Sequence, residues 1–182
     1  MPEVTLRPIQ DNDRKWIKQF IIDRWGAEIV VVHDMVYRPD ELAGFVAAYA
    51  VIVGRSFDPV TIKNTAYTVG RDQPIGLITY HIQANQCEIV TLDSLKSGIG
   101  IGTALIAAVK ASAKQAGCRR IWLMTTNDNL NGLRFYQKRG FVVVAVNRNA
   151  IEQSRQIKPE IPLIGAEGIP LRDEIELEYD LA

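Results

Sequence analysis

The stretch Cys87-Glu88-Ile89-Val90-Thr91-Leu92-Asp93-Ser94-Leu95-Lys96-Ser97-Gly98-Ile99-Gly100-Ile101-Gly102-Thr103 holds three kinds of local structure in succession. Residues 87–92 are dense in branched side chains and predict a strand, residues 93–96 are mostly polar, and three alternating glycines follow. A helix is predicted from there to about residue 116, with Leu105, Val109 and Ser112 along one face and Gly117 as its stop. A strand, glycine turn and helix in this order point successive backbone N–H groups at one spot. The helix start adds partial positive charge, so a phosphate is held without a basic side chain. Glycine serves because a Cβ would block the approach of the phosphate and forbid some of the dihedrals.

Two common phosphate-binding patterns do not fit. A Walker loop requires Lys and then Ser or Thr after the last glycine, whereas Gly102 is followed by Thr103-Ala104. A dinucleotide fingerprint requires G-x-G-x-x-G, whereas the spacing is Gly98-x-Gly100-x-Gly102.

A second constellation lies downstream: Thr125-Thr126-Asn127-Asp128-Asn129-Leu130-Asn131-Gly132-Leu133-Arg134-Phe135-Tyr136-Gln137-Lys138-Arg139-Gly140-Phe141. Residues 129–138 predict a helix ended by Gly140. The seven-residue separation of Asn129 and Tyr136 is nearly two turns, which puts both on one face.

Together these segments resemble the GNAT acetyltransferase superfamily. Its acetyl-CoA motif runs from a basic residue or Gln, through two variable residues, to G-x-G or G-x-A at the mouth of a helix. Gly100-Ile101-Gly102-Thr103-Ala104-Leu105 matches the second half; Ser97 stands at the first position, with Lys96 one residue earlier. The other hallmark is an Asn seven residues before a Tyr, then a basic pair and Gly-Phe. Gly132 stands where the family usually has Ala, at a cost of about 1 kcal/mol in helix propensity.

The resemblance implies a mixed α/β (α+β) fold, with a mostly antiparallel central sheet of about seven strands flanked by helices and a splayed strand pair binding CoA. It implies acetyl-CoA as co-substrate. Ser97, Gly98, Ile99, Gly100, Ile101, Gly102 and Thr103 would hold the diphosphate, Val90, Thr91 and Leu92 the pantetheine amides, and Asn129 the pantetheine region. Tyr136 would protonate the departing thiolate. Its other reading is a core tyrosine packed beside Phe135. Glu88 would be the base that deprotonates the incoming ammonium, or else a solvated strand carboxylate. His33 and His81 are rival bases, and no pair of histidines has metal-ligand spacing, so no metal is expected.

Outward from this centre, alternation over residues 2–6 predicts a first strand. Gln10-Asp11-Asn12-Asp13 can cap a helix from about Arg14 that presents Trp16, Ile17, Phe20 and Ile21 on one face. Runs 29–32, 45–53 and 75–82 read as strands, and residues 54–70 as a loop or extended hairpin tip. Further strands are predicted at 120–125, 141–146 and 174–179, and a helix at 149–157. With no repeat or linker, residues 1–182 read as one N-acetyltransferase domain: a core over 4–146, then a C-terminal helix and closing strand over 147–182.

Composition narrows the partners. Lys+Arg 21 balances Asp+Glu 21, so no net field draws in nucleic acid or anionic lipid. The longest apolar run, 45–53, is about half of a membrane span, so no membrane segment is expected. The opening MPEVTLRPIQDNDRK carries charges where a secretory signal needs apolar residues, which predicts a cytoplasmic protein. Cys87 and Cys118 lie in apolar contexts and read as buried, reduced filler.

The acceptor is expected to be an amine, small-molecule or protein-borne. Residues 147–173 could cover the amine end of the cleft, pack as a helix, or form a subunit contact within a homodimer. Trp25-Gly26 could line the acceptor side or belong to the core. Two other classes compete with the enzyme: a non-catalytic acyl-CoA sensor, which has no need of a thiol-protonating Tyr136, and a mononucleotide-binding module, which the missing P-loop Lys disfavours.

Overall fold

The computed structural model describes residues 4–33, 35–49, 52–58, 63–68 and 73–181. Its centre is a hairpin of β7 (Gln73–Gln83) and β8 (Gln86–Ser94), turned by Ala84 and Asn85, both at positive φ. That is the conformation a two-residue turn needs to match the twist of its strands. On one side β7 pairs antiparallel with β4 (Ala43–Tyr49), which pairs with β1 (Val4–Pro8). On the other side β8 runs parallel to β9 (Arg120–Thr126). A parallel neighbour requires a long crossover, and α2 (Ile101–Gln115) supplies it.

The sheet is completed by β10 (Val142–Asn147) and β11 (Glu174–Asp180), giving the order β1-β4-β7-β8-β9-β11-β10. The closing strand β11 therefore slots between β9 and β10, leaving β10 at the edge. This is the mixed, mostly antiparallel seven-stranded sheet flanked by helices that the sequence implied.

Each face has its own core. On one, Leu105, Ile106, Val109 and Ala113 of α2 pack on Ile78, Cys87, Ile89, Ile121 and Leu123. Here Ala113 takes the core position, and Ser112 is only half-buried. On the other face Ile17, Phe20 and Ile21 of α1 (Arg14–Trp25) pack on Val46, Leu77 and Val90, as the helical spacing predicted. A short 3-10 turn, Asp11–Asp13, precedes α1, and the Asp13 carboxylate accepts bonds from Arg7 and the Gln10 N–H.

Three local readings change. The run 29–32 contains β2 (Val30–Val32), which among the described residues pairs only with β3 (Met35–Tyr37), in a separate hairpin lying on the α1 face. The run 45–53 is two elements, since β4 ends at Tyr49 and β5 (Ile52–Asp58) begins a separate ladder. Within 54–70, β5 pairs antiparallel with β6 (Lys63–Thr68), and residues 59–62 and 69–70 lie outside the described residues. Cys87 and Cys118 are buried and unbridged, and burial pushes the Cys87 thiol up to about 12.

Candidate active site

The ladder between β8 and β9 is short. Their pairs run from Gln86↔Arg120 to Ile89↔Leu123, and among the described residues none follows. On its other edge β8 passes from Ile89↔Tyr80 to Thr91↔Thr79, which leaves Val90 as a bulge. Beyond Ile89 and Leu123 the two strands part, each still held on its outer edge, β8 by β7 and β9 by β11. The sheet thus opens a cleft at residues 90–92, with backbone donors and acceptors along its rim.

The glycine turn lies where β8 leads into α2. Gly98 and Gly100 have φ of +80° and +85°, and Gly100 is the N-cap of α2. The helix ladder opens with the Ala104 N–H donating to the Gly100 carbonyl. Among the described residues, none accepts a hydrogen bond from the N–H groups of residues 98–103. These donors lie at and just before the positive end of a fifteen-residue helix. Gly102 is needed for another reason: a Cβ there would come within 2.9 Å of Phe135 Cζ, so it permits α2 to approach α3 (Leu130–Gln137).

Between turn and cleft lies a cavity of about 520 Å³. Leu92, Ser97, Gly98, Gly100, Ile101, Gly102, Thr103, Asn129 and Tyr136 line it, so most of the residues expected at the cofactor meet in one place. The other expected residues are distributed differently. Val90 faces a second chamber, the Thr91 hydroxyl is buried 2.8 Å from that of Thr79, and Ile99 is exposed beside the turn.

Lys96, Asn131 and Arg139 also line the cavity. Arg139 donates to Thr103 Oγ1 through Nε (3.0 Å) and Nη2 (2.6 Å), and stacks on Phe135. It was visible in the sequence only as half of a basic pair; the fold brings it thirty-six positions back to the turn.

Asn129 is the N-cap of α3. Its Oδ1 accepts from the Gly132 N–H (3.0 Å) and its Nδ2 donates to Thr125 Oγ1 (2.8 Å). A Cβ on Gly132 would lie 2.3 Å from Asn129 Nδ2, so the glycine makes room for this cap. Tyr136 is buried among Phe135 and Phe141. Burial, reinforced by the charge of Asp93, holds its phenol above the ordinary tyrosine range, so it stays protonated. Its ring packs in the core, and the residue also lines the cavity.

Glu88 lies at the closed end of the cleft, paired with His81 across the ladder and with Trp122 on β9. It is 5% exposed and lines a small cavity of about 150 Å³ with His81 and Trp122, apart from the larger one. The Tyr37 hydroxyl donates to its Oε2. Burial raises the Glu88 carboxyl above its usual range, against the opposing pull of Tyr37, His81 and His33. The two histidines are thus neighbours in charge to the carboxylate. His33 Nε2 also lies 3.2 Å from Asn147 Nδ2.

The second chamber, of about 560 Å³, opens on the α1 face of the cleft and shares Asn129 with the first. Trp25 and Gly26 line it, joined by Lys158, Ile161 and Leu171 from the segment 147–173 and by Glu174 of β11. Lys158 follows α4 (Ala150–Ile157), and its buried ammonium donates to the carbonyls of Trp25 (2.7 Å) and Ile29 (3.2 Å). Desolvation lowers its pKa. This ammonium ties the segment after α4 to the loop after α1. The role of Glu174 was hidden by its place in an alternating acidic strand. Among the described residues no helix is long and apolar enough to cross a membrane, and no three His, Cys, Asp or Glu side chains group as metal ligands.

Comparison with known proteins fits this geometry. The Acetyltransferase (GNAT) family model matches residues 5–141. The Bacillus subtilis (strain 168) protein YdhI is 40% identical over 168 residues, covering 92% of both chains. Among solved structures, the IAA acetyltransferase from Bacillus cereus ATCC 14579 superposes with a TM-score of 0.64 at 19% identity, covering 98% of this chain and 99% of that one. A GNAT family acetyltransferase from Elizabethkingia anophelis with acetyl-CoA bound gives 0.62 at 18% identity, covering 97% of each. The sheet order, the parted strands and the extent of the sequence match agree: this chain belongs to the acetyltransferase (GNAT) family.

Proposed function

We propose that the protein is an N-acetyltransferase that moves an acetyl group from acetyl-CoA to a primary amine by direct attack in a ternary complex. One observation carries this reading: Gly98, the residues 100–103, whose N–H groups are unpaired among the described residues, and Tyr136 line a single cavity, which shares Asn129 with a second chamber. The diphosphate takes the N–H groups at the start of α2, with Arg139 and Lys96 adding positive charge nearby. The pantetheine pairs with the free rim of β8 at residues 90–92, and the thioester lies in the parting of the strands.

The acceptor enters from the α1 side. An ammonium must lose a proton before it can attack, and Glu88 receives that proton through water from the closed end of the cleft. The nitrogen lone pair then attacks the thioester carbonyl, the C–N bond forms, and the C–S bond breaks with its electron pair going to sulfur. Tyr136 protonates the thiolate and is restored by the second proton leaving nitrogen, so one proton in all passes to solvent. A phenol held protonated by burial suits that donor role.

The test is purified protein with acetyl-CoA, a panel of primary amines and a thiol-reporting dye. Amine-dependent thiol release supports the enzyme. Acetyl-CoA binding with no release for any acceptor would instead favour a sensor.

A further inference from the structure

The chamber on the α1 face is built unlike the cofactor cavity. Val30, Val32, Val90, Met124, Ile161 and Leu171 face it, from both sides of the parted strands and from the segment 147–173. Its volume of about 560 Å³ suits a small molecule held on most sides.

Several charged groups in its wall already bond to the protein. Arg24 donates to Asp93 (3.2 Å), and Lys158 donates to two backbone carbonyls. Asp128 accepts from the Thr126 hydroxyl and the Ala166 N–H, and Glu174 of β11 is 3% exposed. Glu160 stands at the exposed rim. What remains for a ligand is mainly aliphatic surface. A second ammonium placed against that aliphatic surface would lose its water without gaining a hydrogen bond from it.

We propose that the acceptor is a primary amine carried on an apolar body, alkyl or aryl. The body fills this chamber while the nitrogen meets the thioester at the parting of β8 and β9. The inference rests on the acetyl-transfer reading above and names its substrate class. Ile161 and Leu171 make the segment 147–173 a selecting wall, and the bonds from Lys158 to Trp25 and Ile29 hold that wall in place.

The experiment compares propylamine, butylamine, pentylamine, hexylamine and 2-phenylethylamine with 1,4-diaminobutane and a lysine-bearing peptide, by thiol release from acetyl-CoA with the full chain. We expect kcat/KM to rise about fourfold per added methylene, the worth of burying a CH₂. The diamine should fall at least about tenfold below hexylamine. A flat alkyl series, or a diamine or peptide that matches hexylamine, would overturn the proposal.

If no amine releases thiol, the acetyl-transfer reading fails, and calorimetric titration with the same alkylamines tests the chamber separately. Affinity that tightens with chain length supports the apolar site, and no binding overturns it. Ile161→Trp fills the chamber and should abolish the chain-length dependence while acetyl-CoA affinity is unchanged. A dependence that survives in this variant would place the apolar body elsewhere.

Discussion

The Tyr37 hydroxyl donates a 2.6 Å hydrogen bond to Glu88 Oε2, joining β3, the second strand of the β2–β3 hairpin, to the buried carboxylate of β8. Burial raises the Glu88 carboxyl and this bond opposes the rise. A base must be ionised to act, so on the proposed role of Glu88 the acidic limb of the kcat/KM profile should follow its carboxyl. Tyr37→Phe removes the donor, favours the protonated carboxyl and should move that limb to higher pH by about one unit or less. An unmoved limb would separate Glu88 from proton removal.

Tyr136→Phe keeps the ring between Phe135 and Phe141 and removes only the hydroxyl. We expect kcat to fall about a hundredfold, the usual order for loss of a general acid, with acetyl-CoA affinity preserved. Steady-state kinetics paired with equilibrium binding decide it: a preserved kcat removes the phenol from the reaction.

Gly100→Val acts through backbone conformation. A Cβ at this position meets nothing within 4 Å, but φ is +85°, which a β-branched residue adopts only at a cost of about 1–3 kcal/mol. The turn either bears that strain or relaxes and swings its N–H groups off the diphosphate. Acetyl-CoA affinity should weaken about tenfold or more in a calorimeter. Equal affinity would locate the anion site elsewhere.

Asp173 anchors the segment 147–173. It accepts from Arg172 Nε and Nη2 and from the Asn149 N–H, and these bonds, Arg172 first, hold its carboxyl down at about 2. A depressed folded-state pKa stabilises above the unfolded value of 3.8, and the gain is lost as pH falls from there through about 2. Asp173→Asn should therefore lower the denaturation midpoint at pH 7, and the gap from the unsubstituted protein should narrow toward pH 2. A gap independent of pH would assign the effect to packing instead.

What the sequence revealed was local. The period of Leu105 and Val109, the glycines at 98, 100 and 102, and the seven-residue step from Asn129 to Tyr136 all report on geometry within one or two turns of chain. Sheet order is not local: nothing within residues 174–179 says that Glu174 pairs with Thr126 and separates β9 from β10. The valines of 29–32 look the same whether they enter the main sheet or a separate hairpin. Gly132 illustrates the same limit. As a propensity it is a loss, but beside Asn129 its missing Cβ is the space that the cap occupies. The contact between Arg139 and Thr103 depends on α2 meeting α3, which no spacing along the chain encodes.

The seam that opens after Ile89 and Leu123 gives the two sides of the enzyme separate upbringings. The cavity at the glycine turn comes from one unbroken passage of chain, the end of β8 and the start of α2, completed by α3. The opposite wall is assembled from distant pieces: the loop after α1, the β2 hairpin and the late insertion after β10. On the proposed reading, inheritance can rewrite what is acetylated, residue by residue at 161 or 171, without touching the residues that meet the acetyl donor.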